Sequence, residues 1–165
     1  MIYIVSGAIG AGKSYSLMEW SKDRTDVCGV LTLRMDGEIR YFYDLKCREQ
    51  FEMETSSTAE DVIAVGRYHF SKTAFKRANH IIEKSLENNT TGYLIIDELG
   101  KLEMRSEGLH KSAELAIERT MHDKMFHLIL VVRTSLLTEI TKKYNIHSYE
   151  GIDKAQLSEK LTQTV

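Results

Sequence analysis

Residues Gly7 to Ser14 read Gly-Ala-Ile-Gly-Ala-Gly-Lys-Ser, a complete Gly-x-x-x-x-Gly-Lys-Ser pattern. Its flanks constrain the fold more than the pattern alone does. Met1-Ile2-Tyr3-Ile4-Val5 before it is an apolar run that predicts a strand, and Tyr15 to Trp20 after it predicts the first turns of a helix. A glycine-rich loop between a strand and a helix is the unit in which successive backbone N–H groups turn inward to form a nest for phosphate. The cradle is expected to run through Gly7, Ala8, Ile9, Gly10, Ala11, Gly12, Lys13 and Ser14. The helix that starts near Lys13 adds its positive dipole end and unpaired N–H groups. Lys13 is expected to reach the β- and γ-phosphates of a nucleoside triphosphate, and the Ser14 hydroxyl to ligate Mg2+. The alternative is a glycine-rich turn without a ligand.

The rest of the chain bounds this reading. One hundred and sixty-five residues are enough for one ordinary domain with its own core, and a single domain over 1–165 is expected. A net charge of −2 lays down no overall electrostatic footprint for nucleic acid, which is therefore not an expected partner. Cys28 and Cys47 are far apart and lack metal-ligand spacing, so they read as reduced thiols. With no secretion signal ahead of the first strand, the expected location is cytoplasmic. No apolar run approaches the roughly 18 residues that a membrane helix needs. The six histidines show no metal-ligand spacing either.

Strands and helices alternate along the chain. After the first helix, about 13–24, Val27 to Leu33 predicts a strand, Arg34-Met35-Asp36-Gly37-Glu38 a hairpin turn, and Ile39 to Leu45 and Gln50 to Glu54 return strands. Residues 27–54 thus read as an antiparallel β insertion. Val65 to Phe70 predicts one short strand. Ser71 is placed to cap a helix over 72–87 whose apolar residues Ala74, Phe75, Ala78, Ile81, Ile82 and Leu86 share a face. Its basic stripe of Lys72, Lys76, Arg77, His80 and Lys84 reads as a solvated face. Further strands at 93–96 and 126–132, and helices near 107–123, 135–144 and 153–161, complete an α/β pattern. The expected fold is a mainly parallel central sheet with helices on both faces.

The second half of the expected site lies in Leu94-Ile95-Ile96-Asp97-Glu98. An apolar strand carries Asp97 to the carboxyl edge of the sheet, where it would hold Mg2+ directly or through water. Glu98 follows directly and could orient a water and accept its proton. A second acid argues for water, rather than a substrate hydroxyl, as the attacking group. Lys101 and Arg133 are candidates for a cation beside the developing charge, with Arg105 a weaker one.

Taken in order, these segments resemble the small nucleoside-triphosphatases of the thermophile and cancer-related type. The resemblance rests on Gly7 to Ser14, on Gly29-Val30-Leu31-Thr32-Leu33-Arg34 with the Gly37 turn and Arg40-Tyr41-Phe42, and on Val65 to Phe70. Most specific is Ile95-Ile96-Asp97-Glu98-Leu99-Gly100-Lys101-Leu102-Glu103, similar to that family's Asp-Glu-Ile-Gly-Lys-Met-Glu signature. The resemblance spans roughly 1–135 and leaves the stretch from about Ile146 without a role. It implies a P-loop NTPase fold with a RecA-like sheet, and Mg2+-dependent hydrolysis of ATP, GTP and other nucleoside triphosphates. The family's loop commonly has Pro where Ile9 stands and Thr where Ser14 stands. Ser keeps the hydroxyl, and Ile9 is expected to face out of the nest. Two other readings share the scaffold. One is a nucleoside or nucleotide kinase with Arg34, Arg40 and Arg48 in a lid. The other is a nucleotide-dependent switch or assembly protein with slow incidental hydrolysis. Base preference and oligomeric state are not legible in the sequence.

Overall fold

A seven-stranded sheet in the order β4-β3-β2-β7-β8-β1-β9 organises the chain. Its strands are β1 (Ile2–Gly7), β2 (Val27–Met35), β3 (Ile39–Asp44), β4 (Glu49–Glu52), β7 (Gly92–Leu99), β8 (Phe126–Arg133) and β9 (Glu150–Ile152). The computed structural model describes residues 1–35 and 39–161. The tip of the expected Asp-Gly turn, 36–38, lies outside the described residues, while Arg34 and Met35 extend β2 instead of turning.

The five strands from β2 through β7, β8 and β1 to β9 run parallel, and β3 and β4 join antiparallel at one edge. The parallel strands are apolar on both faces, as strands covered on both sides must be. In β7, Leu94 and Ile96 enter one core with Ala78 and Ile82 of α2 (Lys72–Asn88) and with Ala116 of α4 (His110–His122). Tyr93 and Ile95 enter the opposite core with Leu17 of α1 (Lys13–Ser21) and Leu157 of α6 (Leu157–Lys160). Two short helices, α3 (Lys101–Met104) and α5 (Leu137–Lys143), complete the set. The basic stripe of α2 is exposed, as expected for a solvated face, and Arg77 and Lys84 pair with Glu49 and Glu87. Ser71 accepts from the Ala74 N–H and caps this helix as its sequence implies.

Three elements go beyond or differ from the sequence reading. Residues 27–54 form the expected antiparallel β2–β3–β4 unit, and its first strand β2 is in addition a central strand paired parallel to β7. The single strand expected at 65–70 is a hairpin of β5 (Val62–Val65) and β6 (Tyr68–Ser71), turning at Gly66 with φ of 59°. Strand β9 was not expected at all, and it extends the parallel sheet beyond β1.

The β2–β7 contact depends on one glycine. Gly29 has φ of 107°, and a Cβ built there would stand 2.1 Å from the carbonyl oxygen of Ile95. Gly29→Ala is expected to lower unfolding free energy by about 2–4 kcal/mol, from backbone strain plus displacement of β7. Chemical denaturation of the purified variant checks this; an unchanged midpoint would show that the strands separate without cost.

Candidate active site

Three neighbouring strands end side by side, and their ends carry most of the residues singled out by sequence. β8 lies between β1 and β7, so the loop after β1, Arg133 at the end of β8, and Asp97-Glu98 near the end of β7 face one cleft. The cleft over the loop encloses about 160 Å³ and is lined by Gly10 to Tyr15, Thr32, Asp97, Glu98 and Arg133, among others.

The loop's backbone has the shape of an anion nest. Gly10 and Gly12 take φ of 74° and 78°, the left-handed region that reverses the N–H direction. Gly12 also caps α1. Lys13 Nζ donates to the carbonyls of Gly7 and Ala8 at 3.2 and 2.8 Å, folding back over the loop it springs from. Ile9 is 67% exposed and stands at the mouth of the cleft, among the residues that line it, so the expectation that it faces out of the nest is not met. The loop has a further tether. Lys154, in the short turn Lys154–Gln156 after β9, donates to the carbonyl of Ala11. This contact connects the stretch after Ile146 to the cradle, and nothing local in the sequence announces it.

Asp97 is 1% exposed. Its Oδ2 accepts from the Thr32 N–H at 2.8 Å, where β2 and β7 have just ceased to pair through their backbones. Oδ1 is buried with no hydrogen-bond partner. Burial pushes the Asp97 carboxyl up to about 7, and the Ser14 hydroxyl and Lys13 oppose that shift while Glu98 adds to it. An orphaned buried carboxylate oxygen near a hydroxyl fits a hard divalent cation, whose charge would offset the desolvation. Among the described residues no cluster of three or more His, Cys, Asp or Glu could hold a metal without help. A serine hydroxyl and a buried carboxylate oxygen are donors of the kind that a hard cation such as Mg2+ takes, together with substrate phosphates.

Glu98 occupies the most unusual backbone of the site. Between the pairs Ile96↔Leu130 and Leu99↔Val132 the β7–β8 register slips, and Asp97 and Glu98 lie in that bulge. Glu98 takes φ of 63°, which costs a residue with a Cβ on the order of 1–3 kcal/mol and concentrates at functional sites. Its half-buried carboxylate is gripped through Oε1 by Arg133, with Nε at 3.0 Å and Nη2 at 2.5 Å. The loop beyond is held by Glu103, which accepts from the N–H groups of Gly100 and Leu109 at 2.7 and 2.9 Å.

Of the candidate cations, Arg133 stands in the cleft, whereas Lys101 lines only an adjoining chamber. Arg105 pairs with Glu107 at 2.9 Å and reaches the carbonyl of Ala64, away from the loop. Arg34 and Arg40 do line the cleft, but Arg48 bonds the Lys22 carbonyl at the far side of α1. Sequence reasoning missed Thr32, which acts through its backbone, and Tyr15, whose hydroxyl donates to the Arg34 carbonyl. Arg34 and Arg40 sit directly opposite each other on β2 and β3. Like charges in that register are unfavourable, and this pairing was the available signal.

A phosphate loop after the first strand, a buried acid on a strand one removed, and a strand between them carrying an arginine define a P-loop NTPase fold with a RecA-like sheet. The chain belongs to the family described as NTPase, whose model matches residues 2–162. Two solved structures have the same fold. The crystal structure of THEP1 from the hyperthermophile Aquifex aeolicus superposes with a TM-score of 0.71 at 17% identity, covering 97% of this chain and 94% of that one. The solution structure of a human cancer-related nucleoside triphosphatase gives 0.66 at 17% identity, covering 95% and 93%. No curated protein matches the chain in sequence. Among the described residues, no helix is long and apolar enough to cross a membrane.

Proposed function

We propose that this chain is a Mg2+-dependent nucleoside triphosphatase that releases the γ-phosphate of ATP, GTP and related triphosphates as inorganic phosphate. The observation that carries the reading is the strained Glu98, one residue beyond the buried Asp97 and facing the phosphate loop. In the reaction a water oxygen forms a bond to the γ-phosphorus, the γ–β bridging bond breaks, and the nucleoside diphosphate leaves with that electron pair. Glu98 orients the water and takes its proton; both Arg133 bonds fall on Oε1, which leaves Oε2 for that water. Lys13 exchanges its two carbonyl partners for phosphate oxygens. Arg133 is placed to turn from Glu98 toward the developing charge. Mg2+ held by Ser14 and Asp97 would withdraw charge from the β- and γ-phosphates. Broad base tolerance is part of this proposal and comes from the family resemblance, because the loop itself contacts phosphates and not bases.

The test is phosphate release from several nucleoside triphosphates in the presence of Mg2+ and after its removal by a chelator. Release from more than one base, lost on chelation, is the expected result. Appearance of the γ-phosphate on an added nucleoside or monophosphate, with no free phosphate, would replace hydrolysis by transfer.

A further inference from the structure

Beyond Glu98 the cleft opens into a second chamber of about 250 Å³, slightly below the size range for drug-sized ligand sites (roughly 300 Å³ upward). The two spaces share Asp97, Glu98, Arg133, Arg34 and Arg40, while Arg67, Tyr68 and Lys101 belong to the chamber only. Its inner wall is apolar, built from Phe42, Met53, Phe70 and Leu109.

The chamber concentrates positive charge on a chain whose net charge is −2. Arg40 is 8% exposed; it meets Glu54 at 3.6 Å and lies 4.3 Å over the Tyr68 ring. Arg34, Arg67 and Lys101 make no ion pair among the described residues. Arg67 Nη2 donates to the Tyr68 hydroxyl at 3.0 Å. Hydrogen bonds from Arg67, in the β5–β6 turn, and from Arg34, on β2, hold the Tyr68 phenol below its ordinary value. Three carboxylates face these five cations: Asp97, Glu98, which pairs with Arg133, and Glu103, whose oxygens accept backbone N–H groups. A neutral phenol oxygen is a weak occupant of a position surrounded by guanidiniums, and a phosphate oxygen there would make charge-assisted, bidentate bonds. The apolar wall and the Tyr68 ring then offer a surface for the rest of such a ligand.

We propose that this chamber binds a small organic phosphate monoester on a planar body, a nucleoside monophosphate being the simplest, together with a triphosphate in the cradle. The simultaneous occupancy rests on the triphosphate reading given above. Arg67 and Tyr68 would hold the monoester, the apolar wall would take its planar body, and the ligand would lie on the far side of Glu98 from the phosphate loop.

The experiment is calorimetric titration of AMP, GMP, CMP and UMP into the protein saturated with Mg2+ and a non-hydrolysable triphosphate, with inorganic phosphate as a control. Saturable binding of at least one monophosphate is expected, tighter than that of inorganic phosphate. Arg67→Ala should weaken it about ten-fold or more, the scale of a lost charge-assisted bond, with triphosphate affinity unchanged. Arg67 is exposed on a hairpin turn, so the variant keeps the fold, and Tyr68→Leu supplies a second, independent loss. Monophosphate binding that appears only when the triphosphate is left out, or that ignores both substitutions, or that inorganic phosphate matches, overturns the proposal. A second titration into Lys13→Ala without triphosphate separates the two readings. Binding retained there supports the chamber even if triphosphate hydrolysis fails.

Discussion

Glu98→Gln is expected to lower the turnover number for phosphate release by roughly 100-fold or more, the scale of losing a positioned general base. The amide has the shape of the carboxylate and keeps an oxygen for Arg133, so the ion pair becomes a hydrogen bond from the guanidinium to an uncharged acceptor in the same place. The left-handed backbone at Glu98 is set by the bulge in β7 and is indifferent to this change. Triphosphate affinity should hold or improve, because Arg133 no longer has a charged partner to leave. Single-turnover phosphate release with saturating substrate, alongside a direct binding isotherm, separates the two effects. Full turnover in the variant would remove Glu98 from the chemistry and leave its strain unexplained.

Lys13→Ala is expected to weaken triphosphate binding by about 100-fold, equivalent to about 3 kcal/mol for loss of charge-assisted bonds to phosphate. Lys13 makes two bonds in the resting loop, to Gly7 and Ala8, both to carbonyls that can turn to water. The variant should therefore remain folded with a melting temperature close to that of the parent, and fluorescence titration with a labelled triphosphate measures the loss. An unchanged dissociation constant would mean that the triphosphate sits elsewhere.

Much of the site was legible because its elements are local. The phosphate loop is a continuous segment whose glycines report backbone shape directly, and β7 is an apolar run that ends in acids. What escaped is non-local or carried by backbone. β9 has three residues, too few for any periodicity, and exists only because β1 offers an open edge. The hairpin signal at 27–45 was genuine but hid the parallel pairing of β2 with β7, since a strand buried between two neighbours looks the same in either role. Nothing in Asp97-Glu98 announces a left-handed backbone, because the slip that imposes it belongs to the β7–β8 ladder. Arg34, Arg40 and Tyr68 meet from three strands, and only the like-charge pair across β2 and β3 carried a trace of it.

The Lys154–Ala11 bond has one further consequence. It ties a short edge strand and its following turn to the same loop whose carbonyls and N–H groups must settle around phosphate. Two events that share a loop are thermodynamically linked, and the linkage is reciprocal. Whatever steadies β9 and its turn steadies the cradle, and a ligand in the cradle returns the same free energy to that distant segment. The stretch after Ile146 thereby becomes a place from which nucleotide affinity can be tuned without touching a nucleotide.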